Sequence, residues 1–221
     1  MIGTERQSGD TPSANAQEYR QALLAWVHQL LFLGYQRLDN PGSLSGEEEP
    51  AITGMLVQQI AGVLDDPKSA QWTTYFHVKD DPPVNDGVRT GKRRKRVDIE
   101  FCYAQHRPRQ HFSFEAKWLG SGNPVADYLG ENGLGCFLAC QYAAADSDAG
   151  MLGYIRTDSP EKWADKIGES LKGTVEKYAV CPGHGWRKHP FENGPTHTFR
   201  TRHHRKKGKE IEIYHSLLLF C

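Results

Sequence analysis

Residues 111–120 read HFSFEAKWLG, and their alternation is typical of a β-strand. On a strand, residues i and i+2 point to the same face about 6.6 Å apart. Glu115 and Lys117 therefore share one face, while Phe114 and Ala116 share the other. A surface ion pair is one interpretation of the charged face. The flanking aromatic residues instead predict a largely buried strand, in which a charge pair needs a structural or functional reason.

The stretch before this strand supplies further acidic residues. Residues 96–104, RVDIEFCYA, predict a strand, and the short turn that follows predicts an antiparallel hairpin with the strand above. Asp98 and Glu115 are then expected on neighbouring strands with converging carboxylates. Glu100 is either a second ligand or a solvated strand position, and the solvated position is preferred.

A third source of acids is the start of a predicted helix over residues 49–66. Residues 46–50 read GEEEP, and the proline suits the first turn of a helix. Glu49 is the residue best placed to reach the edge of the strands, and Glu48 is the runner-up. The acids are also explained as charge that favours a helix N-terminus.

Carboxylates grouped with a lysine suit one kind of chemistry. Mg²⁺ takes one or two carboxylates, keeps several waters and binds phosphate oxygens. The bound cation polarises the phosphate and lowers the pKa of a water. A neighbouring lysine can orient that water, deprotonate it if its own pKa is depressed, or stabilise developing negative charge. The alternation of Glu115 and Lys117 would direct a ligand and a lysine at one phosphodiester.

At these residues the sequence resembles the PD-(D/E)XK nuclease superfamily, which has the restriction-endonuclease-like fold. Its pattern is a helix Glu, an Asp at a strand end, and (Asp/Glu)-x-Lys on the next strand. Asp98 matches the motif Asp, Glu115 and Lys117 match the second part, and Glu49 matches the helix acid. Val97 stands where the motif has proline. The resemblance implies that Asp98, Glu115 and Glu49 bind metal and that all four matching residues are catalytic.

A second and looser resemblance covers residues 129–155. The segment carries G-x-x-G-x-x-x-F followed by GM-x-GY, which is similar to nuclease-like proteins of prokaryotic defence systems. The two resemblances together imply a Mg²⁺-dependent nuclease, with Mn²⁺ as a substitute, that leaves a 5′-phosphate and is the effector of a defence system. DNA is favoured over RNA, and endonuclease over exonuclease. The alternative is a nuclease-fold subunit that binds nucleic acid or a partner ATPase, helicase or SMC-like protein, and cuts only on activation or not at all.

The remaining patterns predict an α/β (α+β) fold, in which a central mixed β-sheet is flanked by helices. Residues 1–44 are assigned to an N-terminal helix and linker, with Leu23, Trp26, Leu30 and Leu33 as a possible docking or dimer surface; residues 45–221 are assigned to the nuclease-like domain. The predicted helices are 16–38, the second half of 125–145, and 159–175, which Ser159 caps. The predicted strands are 72–80, 149–157, and a C-terminal hairpin over 196–221.

The charge of the chain is balanced overall but clustered locally. There are 27 basic and 27 acidic residues, so no global field indicates a nucleic-acid partner. Two dense basic clusters instead predict contacts to a phosphate backbone, without information about base sequence. The residues expected to bind nucleic acid are Lys92, Arg93, Arg94, Lys95 and Arg96 in the first cluster, and Arg205, Lys206 and Lys207 in the second.

Cysteine and hydropathy patterns set further bounds. The five cysteines form no CxxC pair, no apolar run reaches membrane-spanning length, and the start lacks the pattern of a signal peptide, so a cytoplasmic protein with reduced thiols is expected. A zinc set of Cys136, Cys140, Cys181 and His184 is a minor alternative, because the spacing matches no standard motif. His215 is expected to pack within a strand. The sequence contains no nucleophile elbow, so it gives no support to a serine or cysteine hydrolase.

Overall fold

A computed structural model describes residues 14–84, 91–105, 107–122, 124–207 and 209–221, with side chains described from residue 17. The chain forms one seven-stranded sheet in the order β1-β2-β3-β4-β7-β6-β5. The strands are β1 (Phe76–Asp80), β2 (Ile99–Tyr103), β3 (Gln110–Leu119), β4 (Asp148–Ile155), β5 (Arg187–Lys188), β6 (Thr198–His203) and β7 (Ile211–Leu219). The helices are α1 (Ala14–Gln36), α2 (Glu49–Leu64), α3 (Pro124–Leu129), α4 (Leu134–Leu138) and α5 (Pro160–Gly173).

The sheet is mixed, as the sequence predicted. Strands β3, β4 and β7 run parallel in its centre, and the other neighbouring pairs are antiparallel. The predicted hairpin is confirmed, with Ile99 of β2 opposite Phe114 of β3. The C-terminal hairpin is confirmed by the pairing of β6 with β7. Strand β4 is buried along its whole length, as expected for a parallel strand covered on both faces.

Helices cover both faces of the sheet and make two separate cores. One core joins α1 and α2 to the side chains of β2 and β3 that include Phe112, Phe114 and Ala116. The other joins α3, α4 and α5 to the opposite face, which includes Leu119 and Met151. Glu115 and Lys117 lie on the same face of β3 as Leu119, by strand alternation. The charged pair therefore lies at the boundary of a core and not on an open surface.

Helix α1 is part of the first core and turns its described apolar side chains toward the sheet, while the docking or dimer surface expected for residues 1–44 stays a prediction. Leu23 and Leu30 are at most 8% exposed. Trp26 stacks on Trp72 with ring centroids 5.6 Å apart. Arg20 also binds Asp148 of β4 through two contacts of 2.5 Å. From residue 17 onward, the apolar stripe of this helix therefore packs on the sheet.

The helix predicted in the second half of residues 125–145 is confirmed only over the short α4, and a second short helix, α3, precedes it across a glycine turn. A Cβ added at Gly133 would lie 2.3 Å from the backbone oxygen of Tyr128, and one at Gly130 would lie 2.5 Å from that of Ala126. A Cβ at Gly150 would lie 2.1 Å from the ring of Phe114. These glycines belong to the two short motifs of residues 129–155. The short distances from these glycines to backbone and ring atoms are therefore enough to explain why no larger residue stands at the three positions.

The other local predictions are mostly confirmed. Ser159 caps α5 by accepting a hydrogen bond from the backbone N–H of Lys162. Residues 72–80 begin with a 3-10 turn over Gln71–Tyr75, so only the second half of that prediction is a strand. Among the residues described, none of the helices has the length and apolar content needed to cross a membrane.

Candidate acidic site at the edge of strand β3

The site begins where β2 separates from β3. Ladder pairing ends at Ile99, so the next backbone N–H groups of β3 on that side, those of Ala116 and Trp118, have no strand partner. The N–H of Ala116 donates to Oδ2 of Asp98 at 2.6 Å. The N–H of Trp118 donates to Oε2 of Glu49 at 2.8 Å. Two carboxylates thus occupy the vacated positions in the ladder.

Lys117 connects the carboxylates. Its Nζ donates to Oε1 of Glu115 at 2.8 Å and to Oε1 of Glu49 at 3.2 Å. A third bond of 2.6 Å goes to the backbone oxygen of Ala116. The structure therefore brings together all four residues that the sequence selected. Glu48 is the exposed N-cap residue of α2, so the choice of Glu49 over Glu48 agrees with the geometry.

Helix α2 delivers Glu49 for a simple reason. Its buried side, with Ile52 and Leu56, packs on the first core, and the helix therefore starts beside the end of β3. Thr53, one turn later, donates to the backbone oxygen of Glu49 at 3.0 Å and contacts the hydroxyl of Tyr154 on β4 at 3.0 Å. These contacts fix the first turn of the helix against the sheet.

The cluster carries more negative than positive charge. The three carboxylates and one ammonium leave a net charge of −2 when all are ionised. Burial, followed by the charge of Asp98, raises the pKa of Glu115 to about 8. Burial also raises the pKa of Asp98, against the hydrogen bond from Ala116. Although burial lowers the pKa of Lys117, the nearby Glu115 and Glu49 raise it by more, so the lysine is a cation.

One carboxylate oxygen lacks a partner. Oε2 of Glu115 is buried and makes no hydrogen bond within the described ranges, although the residue is only 5% exposed. An unsatisfied buried oxygen in an over-negative cluster fits a hard divalent cation such as Mg²⁺, which binds oxygen ligands and would neutralise the charge. The residues that would hold it are Asp98 and Glu115.

The spacing limits the part of Glu49. A three-ligand metal site needs its ligand atoms close together. Within the described residues, the set whose ligand atoms all lie within 4.8 Å of one another is Cys181, His204 and Glu210, and not the acidic site. The three carboxylates around Lys117 are therefore more widely spread. Both oxygens of Glu49 are already bonded, to Lys117 and to the N–H of Trp118. This arrangement supports Glu49 as a residue that positions Lys117.

Three further side chains lie beside the carboxylates, and sequence analysis did not place two of them there. Cys136 of α4 is hydrogen-bonded to Tyr142, and the pKa of both groups is raised first by burial and then by the charge of Glu115. Lys95 lies with its Nζ 3.9 Å from Sγ of Cys136. Lys95 was found through its basic cluster. Cys136 was considered only as a zinc ligand and Tyr142 gave no signal, because α4 and the turn after it bring these residues toward β3.

The two basic clusters differ in their surroundings. In the first, Lys92 and Arg93 are exposed, while Arg96 forms an ion pair with Asp81 at 2.5 Å. Arg94 and Lys95 are partly buried. In the second, Lys206 and Lys207 are exposed.

Arg205 does not fit the nucleic-acid-binding prediction. It is 9% exposed, and its guanidinium donates to the backbone oxygens of Lys209, Ala143 and Asp146. Such a side chain holds loops together and is not offered to a phosphate.

Other sequence interpretations are also resolved. Glu100 pairs with Lys79 at 2.5 Å and with His111 at 3.4 Å, away from the acidic site. His215 is fully buried and contacts Tyr128 and Thr201, as expected for a packed histidine. The minor zinc set is not assembled: Cys136 donates to the backbone of Glu131 and Cys140 to that of Lys207.

Comparison of the chain with protein-family models, with curated proteins and with solved structures gives no match.

Proposed function

We propose that this protein is a divalent-metal-dependent phosphodiesterase that acts on nucleic acid, with DNA as the favoured substrate. The single observation that carries the proposal is the unpartnered, buried Oε2 of Glu115, next to Asp98 and on the same strand face as Lys117. A purely structural ion pair between Glu115 and Lys117 would have no use for a second carboxylate oxygen that is buried and unsatisfied, nor for two further carboxylates around one lysine.

Each side chain has a role in this proposal. Asp98 and Glu115 hold Mg²⁺, which when bound neutralises phosphate charge and lowers the pKa of a water. Lys117 is a cation, so it orients the attacking water and stabilises the negative charge that develops on the phosphate. Deprotonation of the water by Lys117 is disfavoured by its raised pKa. Glu49 keeps the lysine in place through its 3.2 Å contact.

The surroundings favour a polyanionic substrate. Lys95 lies beside Cys136 at the site, and the exposed Lys92 and Arg93 continue the basic surface along the chain. Such residues contact phosphates without reading bases. A role as effector of a defence system, and partners such as an ATPase, helicase or SMC-like protein, rest on the resemblance described above.

The test is a cleavage panel with the purified protein. Plasmid, linear duplex, single-stranded DNA and RNA are incubated with Mg²⁺, with Mn²⁺ and with EDTA. We expect metal-dependent cutting by the wild type and by Glu48→Gln, a matched control on the same helix start. Asp98→Asn and Lys117→Ala should each lower the cleavage rate by at least about a hundredfold, because removal of a group that stabilises charge in the transition state usually costs that much.

The outcomes separate the two hypotheses. Cutting by the variants at the wild-type rate would show that the acidic site is not catalytic. Binding of DNA without cutting by the wild type, under all metal conditions, would reject a free-standing enzyme in favour of an activation-dependent or non-cleaving subunit.

A further inference from the structure

Three segments distant in sequence meet at the end of the C-terminal hairpin. Cys181 follows α5, and its backbone N–H donates to the oxygen of Arg202 at 2.8 Å. His204 immediately follows β6, and its N–H donates to the oxygen of Ala179 at 2.8 Å. Glu210 immediately precedes β7, across the hairpin. These backbone bonds fix the three side chains in one place, on the side of the sheet remote in strand order from β2 and β3.

The side chains are at distances suited to a small metal ion. Sγ of Cys181, an imidazole nitrogen of His204 and a carboxylate oxygen of Glu210 all lie within 4.8 Å of one another. Nδ1 of His204 is 3.2 Å from Oε1 of Glu210. A tetrahedral zinc with ligands at about 2.0–2.3 Å separates neighbouring ligand atoms by about 3.3–3.6 Å. The His204–Glu210 distance is close to this range, and the sulfur lies within 4.8 Å of both atoms.

We propose that Cys181, His204 and Glu210 form a zinc site, with water as the fourth ligand. A thiolate, an imidazole and a carboxylate are all zinc ligands, and a thiolate selects zinc over Mg²⁺. A thiolate and a carboxylate neutralise the double charge of the ion. Arg202, whose guanidinium is 4.0 Å from Glu210, is held by a closer contact of 2.6 Å to Glu212, so it does not compete for the site.

Metal binding has a proton balance. Burial, followed by the charge of Glu210, raises the pKa of the Cys181 thiol to about 11. Zinc binds the thiolate, so the S–H proton leaves to solvent as the Zn–S bond forms. Near neutral pH one proton is therefore released for each ion bound, and binding weakens as the pH falls.

The consequence of the site is mechanical. The ion would join the segment after α5 to both ends of the hairpin turn that carries Lys206 and Lys207. Zinc would thereby order a basic surface at a distance from the acidic site, and the inference does not depend on the proposed function.

The test uses the full chain and cobalt and zinc as probes. Co²⁺ should bind at one ion per chain with a thiolate-to-cobalt charge-transfer band, and Zn²⁺ should displace it, release one proton and raise the melting temperature. Cys181→Ser should abolish the band, whereas Cys221→Ser, at an exposed cysteine, should keep it. The band should also persist in Asp98→Asn, which separates this site from the acidic site.

Two more variants keep the test decisive if Cys181→Ser does not fold. His204 and Glu210 are both exposed, so His204→Ala and Glu210→Gln should leave the metal-free melting temperature unchanged. Each should weaken Co²⁺ affinity by at least about tenfold, since even outer partners of zinc ligands contribute that much. No charge-transfer band in the folded wild type, or a Co²⁺ affinity equal to that of the wild type in both variants, would overturn the proposal and leave a hairpin ion pair.

Discussion

Replacement of Glu115 by glutamine tests the electrostatics of the acidic site without any assumption about catalysis. The pKa of Glu115 is raised from its ordinary value of 4.5 to about 8, because the carboxyl is buried next to Asp98. Between these two values the folded chain keeps a proton that the unfolded chain has lost. The free energy of unfolding of the metal-free wild type therefore falls as the pH rises from 4.5 to 8.

The magnitude follows from the width of this window. Each pH unit within it lowers the free energy of unfolding by about 1.4 kcal/mol, so the contribution of Glu115 falls by about 3–4 kcal/mol between pH 5 and pH 8. Glu115→Gln has no such titration. The free energy of unfolding of the variant should therefore rise relative to that of the wild type by about 3–4 kcal/mol between pH 5 and pH 8. Any loss of the contact with Lys117 would shift this difference equally at both pH values.

The assay is urea unfolding of both proteins at pH 5 and pH 8, in EDTA and in Mg²⁺. At a concentration of 100 times its Kd, Mg²⁺ should stabilise the wild type at pH 8 by about 2.7 kcal/mol and should stabilise the variant much less. Glu48→Gln, an exposed carboxylate nearby, serves as the control and should follow the wild type. A constant difference between wild type and Glu115→Gln across pH would refute the raised pKa, and equal stabilisation by Mg²⁺ would place the ion elsewhere.

Two other predictions concern the scaffold. Gly133→Ala should lower the free energy of unfolding by about 1–3 kcal/mol or more in urea unfolding, because its Cβ would meet the Tyr128 oxygen at 2.3 Å. Gly173→Ala, at the end of α5 with open space around it, should be neutral or slightly stabilising; equal losses in both would contradict the packing argument. Glu212→Ala should lower the free energy of unfolding by about 1–3 kcal/mol in thermal or urea unfolding, since its buried carboxylate binds the partly exposed guanidiniums of Arg20, Arg200 and Arg202; a loss below about 0.5 kcal/mol would contradict it.

Local patterns in the sequence were sufficient for most elements. The alternation around Glu115 predicted β3, the short turn before it predicted the pairing with β2, and Ser159 marked the start of α5. These features depend on neighbours within a few residues, so they can be read from one chain. The division of residues 124–138 into α3 and α4 was not predicted, because the glycine turn between them is decided by backbone approaches at Gly130 and Gly133.

What the sequence by itself determined is the set of groups in the acidic site and the side of β3 to which Glu115 and Lys117 point. Only the tertiary structure decided what those groups do to one another. The divergence of β2 exposes two N–H groups for Asp98 and Glu49, and burial beside Asp98 at the boundary of the second core raises the pKa of Glu115. The assembly of Cys181 with His204 was likewise invisible in sequence spacing. Such contacts join positions far apart in the chain, and their energies depend on burial and distance, which no local pattern records.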